Sequence, residues 1–438
     1  WQALERTIRN VSRIYNYREI RTPMFENTEL FHRSVGEDTD IVSKETYDFT
    51  DRGNRSNTLR PEGTAPVVRS YIENKLYADK NPIQKLYYMG PMFRYERPQK
   101  GRYRQFAQFG AEAFGSESPM LDAEIISYAV SVLKALKISD VSVNINSIGE
   151  ETSKAQYKDA LVNYLATDIT SLCSDCQTRY QKNPLRILDC KVDKDSDILI
   201  NAPKPLDYLT EASKTHFVEV IGYLDSMGID YKIDKNLVRG LDYYTHTVFE
   251  VVANLETLGA QNTICGGGRY NNLVSSLGGP SIPGVGFAFG LERLMFALES
   301  INFLGDPDYL HLYLMILGDD LKSEGMAIMN RCRLGGLFTD MDFLDKSMKA
   351  KFKQAEMLNA RFIAIYGEEE HAAKMINVKD QETGQEVKVP LHQLYNHIVA
   401  ELMKPAHSCN SCEAESCDSC GDDCDCSEED GSCNCGGE

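Results

Sequence analysis

The chain has 438 residues, 42% of them hydrophobic and 26% charged, and a formal net charge of −18. That is the composition of a soluble globular protein with room for two or three domains. No apolar run is long enough to span a membrane, no secretory signal opens the chain, and the acidic balance argues against generic coating of nucleic acid while leaving room for a local basic patch.

The chain starts at Trp1 rather than Met, so an N-terminal piece is expected to have been removed or not included. Helical spacing through Leu4, Ile8, Val11 and Ile14 predicts an opening helix, followed by a strand that ends at Thr22-Pro23. Glu45–Thr50 and Thr58–Arg60 read as strands around a turn at Asp51–Asn57. A helix is then entered at Pro61-Glu62-Gly63-Thr64, with proline near its first turn. Glu62 and Thr64 therefore sit where a helix start meets a sheet, a place suited to small polar ligands, although capping alone would account for them.

Residues 86–115 read as two strands joined by a turn holding Arg97, Lys100, Arg102 and Arg104. Side chains in a strand repeat every two residues. One face of the second strand thus carries Phe106, Gln108, Gly110, Glu112 and Phe114, and the other carries Ala107, Phe109, Ala111 and Ala113. The second set packs inward; the first offers a glutamine and a carboxylate over a glycine floor, with Arg94 beside them on the neighbouring strand. A solvated hairpin would explain the turn cations but not this shared face. A fixed guanidinium suits phosphate, the carboxylate suits a cationic or imidazole-bearing substrate, and the turn suits a polyphosphate or an RNA end.

From about 150 to 232 the sequence is helical and charge-rich. Within it Cys173, Cys176 and Cys190 supply three thiols with no histidine near enough to complete a tetrahedral zinc site, so they read as structural thiols. In LVRGLDYYTHTVFEV, strand alternation puts Tyr243, Thr245, Thr247 and Phe249 on one face and Tyr244, His246, Val248 and Glu250 on the other. Gly266–Gly268 let backbone approach a ligand closely, but the spacing fits neither nucleotide-binding signature. Gly284–Gly290 reads as a glycine-punctuated strand feeding the helix Leu291–Leu298, with Arg293 in its first turn. After Asp306, alternating strand-like and helical stretches predict a mainly parallel α/β unit.

The last segment is different material. Residues 408–438 hold eight of the thirteen cysteines and ten acidic residues but no Lys or Arg, too few apolar groups to bury a core, so disorder is expected. Cys409, Cys412, Cys417 and Cys420 are close pairs able to close on Zn²⁺ as thiolates; an inert acidic solubility tail is the plainer alternative. The five cysteines of the body form no framework, which predicts reduced thiols and a cytoplasmic address.

Three stretches carry a family resemblance. FRYERPQKGRYRQF resembles the second signature motif of class II aminoacyl-tRNA synthetases, TLRPEGTA and RGLDYYTHTVFE resemble histidyl-tRNA synthetases, and GVGFAFGLERLMFAL resembles the third class II motif. The opening helix, strand and proline are similar to the first motif, which in the family builds a homodimer interface; the Arg-Gly-rich segment that normally precedes that helix is missing. The resemblance implies an α+β catalytic domain over 1–303, an antiparallel sheet flanked by helices with a helical insertion at about 150–232 that reaches over the tRNA acceptor arm. It also implies an α/β anticodon-binding domain over 306–402, leaving a Cys- and acid-rich tail over 403–438. The implied activity is ATP-dependent ligation of L-histidine to tRNA(His). In it Arg94 and Arg239 act catalytically at the α-phosphate, Arg293 meets the γ-phosphate, and Mg²⁺ sits on the outer phosphates. Glu62, Gly63, Thr64, Gln108, Glu112, Tyr243 and Tyr244 bind histidine: Glu62, Thr64 and Gln108 at the amino group, Glu112 and Tyr244 at the imidazole nitrogens. Two other readings keep the fold without the activity. One is a histidine-sensing regulatory subunit of ATP phosphoribosyltransferase, which generally lacks the anticodon domain and erodes the phosphate-binding residues. The other is a nucleic-acid sensor built on an inactive synthetase domain.

Overall fold

The computed structural model describes residues 1–36, 39, 41–97, 101–190, 192–255, 262–303 and 309–404, with the backbone of 424–426 and 433–435. The chain divides into two units, 1–305 and 306–438.

The first unit is built on an eight-stranded sheet. Its strands are β1 (Arg18–Glu19), β2 (Gln84–Phe93), β3 (Gln105–Phe114), β4 (Val141–Ser147), β5 (Tyr231–Ile233), β6 (Thr245–Ala253), β7 (Thr263–Arg269) and β8 (Gly284–Gly290). They lie in the order β1-β2-β3-β8-β7-β6-β4-β5. The six inner strands are antiparallel, and a short parallel strand closes each edge. One face is apolar: Phe109, Ala111 and Ala113 of β3 pack with Phe249, Val251, Phe287 and Phe289 against the helices Gln2–Ile14, Pro119–Ala135 and Glu211–Ser226. The alternation in β3 thus sorts its residues as the sequence reading expects. In the opening helix Leu4, Ile8 and Val11 are buried, but Ile14, in its last turn, is 79% exposed.

Two expectations change. The helix Glu211–Ser226 falls within the range expected for the insertion, yet Phe217, Val220 and Leu224 sit in the main core. A separate small core spans Tyr157 to Tyr208. In β6 the alternation fails at its start: His246 has φ +49°, and the register against β7 slips between Gly268 and Arg269. A residue in the left-handed region reverses the facing of its neighbours. His246 therefore does not share the face of Tyr244 and Val248; its ring lies 5.0 Å from His216 on the helix side.

Facing into that helical layer, Arg269 of β7 is fully buried. It donates to both oxygens of Asp122 and to the carbonyls of Ser116 and Ser118. Burial would push the Asp122 carboxyl up, but the charge of Arg269 and the His216 ring, 3.4 Å away, hold it below the usual range.

The second unit has strands β9 (Leu310–Ile316), β10 (Thr339–Met341), β11 (Ala360–Tyr366), β12 (Met375–Asp380) and β13 (Glu386–Pro390), in the order β10-β9-β11-β12-β13. Only the first three are parallel; β12 and β13 form an antiparallel hairpin added to the edge. "Mainly parallel" is corrected to mixed: the connection through Glu368–Ala373 is too short for a parallel crossover, so β12 returns antiparallel to β11, and Gln381–Gln385 turns the chain back again with Gly384 at φ +73°. Of the tail, Cys424–Cys426 and Cys433–Cys435 pair antiparallel, local order that composition does not predict. Cys409, Cys412, Cys417 and Cys420 lie outside the described residues, as does Lys100 of the basic turn.

Breaking the buried pair from one side leaves a charge stranded, at a cost of about 3–5 kcal/mol, whereas apolar replacement of both partners is often neutral. Asp122→Ala is expected to lower the denaturation midpoint of the first unit strongly, and Asp122→Leu combined with Arg269→Met to recover most of the loss. Equal losses in the single and double variants, measured by chemical denaturation, would show that the pair contributes nothing as a pair.

Candidate active site

The face of the sheet opposite the apolar core carries a cleft of about 250 Å³. Its floor is glycine. A Cβ at Gly110 would collide with the Tyr88 ring, one at Gly266 with the Arg239 guanidinium, and one at Gly286 with the Glu112 carboxylate. Each glycine is thus a place where a large functional group lies flat on backbone.

One end is acidic and aromatic. Glu112 of β3 is buried; Oε1 accepts from Thr64 Oγ1 at 2.8 Å, and Oε2 accepts from the Tyr270 hydroxyl. Glu62 sits just before the helix Thr64–Glu73, not within it, and caps it: its two oxygens accept from the backbone N–H groups of Thr64 (2.6 Å) and Ala65 (2.8 Å). Capping and cleft-lining therefore coexist in Glu62. Gln108, four residues before Glu112 on β3 and paired with Gly290 just ahead of the Arg293 helix, also lines the cleft, and its Oε1 is buried with no hydrogen-bond partner among the described residues. Tyr243 and Tyr244 precede β6 rather than lie within it. Freed from strand alternation, both face the cleft, with ring centroids 4.7 Å apart.

The other end is cationic. Arg94 follows β2; its Nε donates to the Pro61 carbonyl at 2.9 Å and its guanidinium lies 5.2 Å from the Phe106 ring centroid. Arg239 is paired with Glu250 of β6, which also accepts from Thr263 Oγ1 at 3.0 Å. Arg293, in the first turn of the helix Leu291–Ser300, donates to the Thr263 carbonyl at 2.8 Å. Glu96 lies between Arg94 (4.0 Å) and Arg102 (3.5 Å). Burial pushes the Arg94 and Arg293 pKa values down, and for Arg293 the neighbouring Arg102 pushes the same way. Burial and neighbouring positive charge are what an incoming anion relieves.

Every sequence-predicted site residue of the body therefore lines one cleft, except Gly63. That glycine lies against the Tyr88 ring, where a Cβ would collide. The sequence reading missed Tyr88, Tyr270 and Glu250. Tyr88 was within reach, since it alternates with Gly90 and Met92 on the cleft side of β2. Tyr270 and Glu250 were not, because their significance depends on which strands become neighbours.

An antiparallel sheet with glycines beneath the substrate groups, an arginine at the end of its hairpin and another opening the following helix defines a class II aminoacyl-tRNA synthetase. The family model described as histidyl-tRNA synthetase matches residues 1–294, and that of the anticodon binding domain matches 311–401. The histidine–tRNA ligase of Geobacillus sp. (strain WCH70) is 48% identical over 403 residues, covering 92% of this chain and 95% of that protein. The Bacillus subtilis (strain 168) protein of the same name is 50% identical over 407 residues, with 92% and 95% covered. Apo S. aureus histidyl-tRNA synthetase superposes with a TM-score of 0.78 at 41% identity, over 91% of this chain and 95% of that one. The chain belongs to the histidyl-tRNA synthetase family.

Burial pushes the Glu112 carboxyl up to about 8; hydrogen bonds from Tyr270 and Thr64 oppose this, and nearby Glu62 adds to it. An unfolded glutamate titrates near 4.3. Below that pH both states hold the proton and the shift has no effect. Between about 4.3 and 8 the unfolded state releases its proton first, so this residue erodes stability as pH rises. Glu112→Gln removes the titration, and the variant is expected to gain stability relative to the parent between pH 5 and pH 8. Parallel pH profiles of the two denaturation midpoints would contradict the raised pKa.

Proposed function

We propose that this cleft carries out histidine–tRNA ligation with its two ends divided by charge. The observation that carries the proposal is that Arg94, Arg239 and Arg293 line a single glycine-floored cleft together with Glu62, Gln108 and Glu112. The histidine α-amino group lies against Glu62, Thr64 and the unpaired Gln108 oxygen, and its imidazole nitrogens against Glu112 and Tyr244. ATP lies along the arginine end, its α-phosphate at Arg94 and Arg239 and its γ-phosphate at Arg293. A histidine carboxylate oxygen attacks the α-phosphorus and pyrophosphate leaves, giving histidyl-adenylate. A hydroxyl at the tRNA 3′ end then attacks the activated carbonyl and AMP departs.

The protein contributes positioning and charge stabilisation. Arg239, held by Glu250 and backed onto Gly266, is fixed before charge develops. Mg²⁺ bound with the outer phosphates would neutralise charge there. Glu96 and Glu292, the carboxylates lining that end, suit a hard cation that takes one or two carboxylates and keeps its waters.

The second unit is assigned to the anticodon of tRNA(His), and the working form to a cytoplasmic homodimer. Support for the dimer is the exposed cluster of Met24, Phe25 and Phe49, with the two phenylalanine rings edge to face at 5.8 Å. No described helix is long and apolar enough to cross a membrane. The tail thiols Cys409, Cys412, Cys417 and Cys420 are assigned to zinc capture that ligation does not require. A histidine-sensing regulatory subunit is not favoured: all three arginines are kept, and the anticodon-binding match covers 311–401.

Histidine-dependent ATP–pyrophosphate exchange tests the activity directly, and its absence in the intact protein would remove the proposal. Sites built to pair a buried polar substrate group reject analogues lacking it by about 10⁴–10⁵. Glu112→Ala is accordingly expected to raise the KM for histidine sharply with little change in ATP binding; an unchanged KM would take Glu112 out of the pocket. A preorganised charge at the reacting centre is worth about 10²–10³ in rate. Arg239→Ala should lower the single-turnover rate of adenylate formation by that factor with modest KM changes, and near-normal adenylation would disprove its role.

A further inference from the structure

The segment from Leu172 to Asp193 holds four side chains that the ligation chemistry does not use. Cys173 is the N-cap residue of the helix Ser174–Lys182, and Cys176 lies in its first turn. A short 3-10 turn over Pro184–Asp189 returns the chain to Cys190, and Asp193 follows. One ligand atom from each of Cys173, Cys176, Cys190 and Asp193 lies within 4.8 Å of all the others. The sequence reading counted thiols and looked for a histidine; the fourth group is a carboxylate that only the fold brings back.

The spacing matches a filled coordination shell. Tetrahedral zinc with Zn–S of about 2.3 Å and Zn–O of about 2.0 Å places sulfurs about 3.8 Å apart and sulfur and oxygen about 3.5 Å apart. Cys173 Sγ and Cys190 Sγ are separated by 3.6 Å, and Cys190 Sγ and Asp193 Oδ2 by 3.5 Å. The cysteines are free. The surroundings support ligands as well as packing. The Cys173 backbone N–H donates to Asp193 Oδ2 at 3.0 Å, orienting that carboxylate. The Asp193 backbone N–H donates to Cys190 Sγ at 3.3 Å, a contact that favours a thiolate. The start of a helix lies at Cys173, and its exposed N–H groups favour negative charge there.

We propose that Cys173, Cys176, Cys190 and Asp193 bind one structural Zn²⁺. Three thiolates select a soft or borderline ion, and four protein ligands close the tetrahedron, leaving no position for catalysis. The ion has structural work to do. The small core around it is apart from the main core, and Cys176 and Cys190 are buried within it between the helix Glu151–Leu165 and the 3-10 turn. The loop it clamps carries Asn183, whose Nδ2 donates to Asp242 Oδ1 at 2.7 Å, one residue before Tyr243. Lys182, which ends the helix, and Arg186 of the 3-10 turn line a second cleft with Lys154, Lys158, Arg239 and Tyr244. The ion thus fixes the segment that buttresses the loop bearing the two cleft tyrosines, a role that rests on the ligation site described above only for its functional consequence.

The test uses the full-length chain with the eight tail cysteines replaced by serine, so that zinc uptake reports the body alone. Purified under reduction and equilibrated with Zn²⁺, this parent is expected to hold one zinc per chain by elemental analysis. With Co²⁺ it should show the intense thiolate charge-transfer and tetrahedral d–d absorption of a Cys-rich site. Cys173→Ser and Cys190→Ser should lose the metal. Asp193→His, which supplies another accepted zinc ligand, should keep it with a shifted Co²⁺ spectrum. A strong chelator should lower the melting temperature of the parent and of Asp193→His but not of Cys173→Ser. A parent without zinc, iron in its place, a Cys173–Cys190 disulfide, or full zinc content in both serine variants would each overturn the assignment. All of these readouts stand whether or not the protein ligates histidine.

Discussion

The site depends on one steric constraint: large polar groups must lie flat on a sheet whose own side chains would otherwise fill the space. A strand normally raises a side chain from the face at every second residue. At Gly110, Gly266 and Gly286 that side chain is missing, and Tyr88, Arg239 and Glu112 occupy the volume a Cβ would need. Three adjacent strands, β3, β8 and β7, each give up packing at one point for this purpose. The loss is tolerable because the opposite face of the same strands is continuous core. Phe109, Phe287 and Phe289 pack there with ring centroids 5.4–5.8 Å apart, one pair stacked and two edge to face, and aromatic burial of that size dominates core energetics.

Burying acids and arginines on the open face is itself unfavourable, and the structure offsets it locally rather than by pairing the two ends with each other. Each Glu62 oxygen takes a backbone N–H, Glu112 takes two hydroxyls, Arg239 takes Glu250, and Arg94 and Arg293 each take a carbonyl. Buried polar groups satisfied in this way hold one geometry without closing the ligand site. Had the arginines been paired with Glu62 and Glu112, the cleft would be closed by its own salt bridges. That each of these groups is satisfied by its own local partner is therefore as much a part of the site as the residues.

Much of this was legible in the sequence, for physical reasons that can be located. The period of two in Gln105–Phe114 needs no partner strand to be read, so the core face and the Gln108–Glu112 face were both available. Arg293 was available because a glycine-rich strand running into an amphipathic helix fixes what its first turn faces. Tyr243 and Tyr244 were identified by resemblance, but their arrangement was misjudged, since alternation was assumed to begin two residues too early. A single φ of +49° at His246 is invisible in composition. Pairings made between distant segments were invisible as well: Tyr270 with Glu112, Glu250 with Arg239, and Asp193 with three cysteines are set by strand order and loop closure.

The same left-handed residue explains how β6 serves two layers at once. Without it, His246 would share the face of Tyr244 and Val248. With it, His246 turns toward the helix Glu211–Ser226, where Ser213 Oγ lies 3.3 Å from its Nδ1. Burial pushes its pKa down to about 4, and neighbouring His216 and Arg269 push the same way. A neutral ring is the form that such a packed layer can hold. The bulge thus turns the protein's own imidazole away from the cleft, and it does so where the strand enters the sheet, so the ladder to β4 from Thr247 onward is undisturbed.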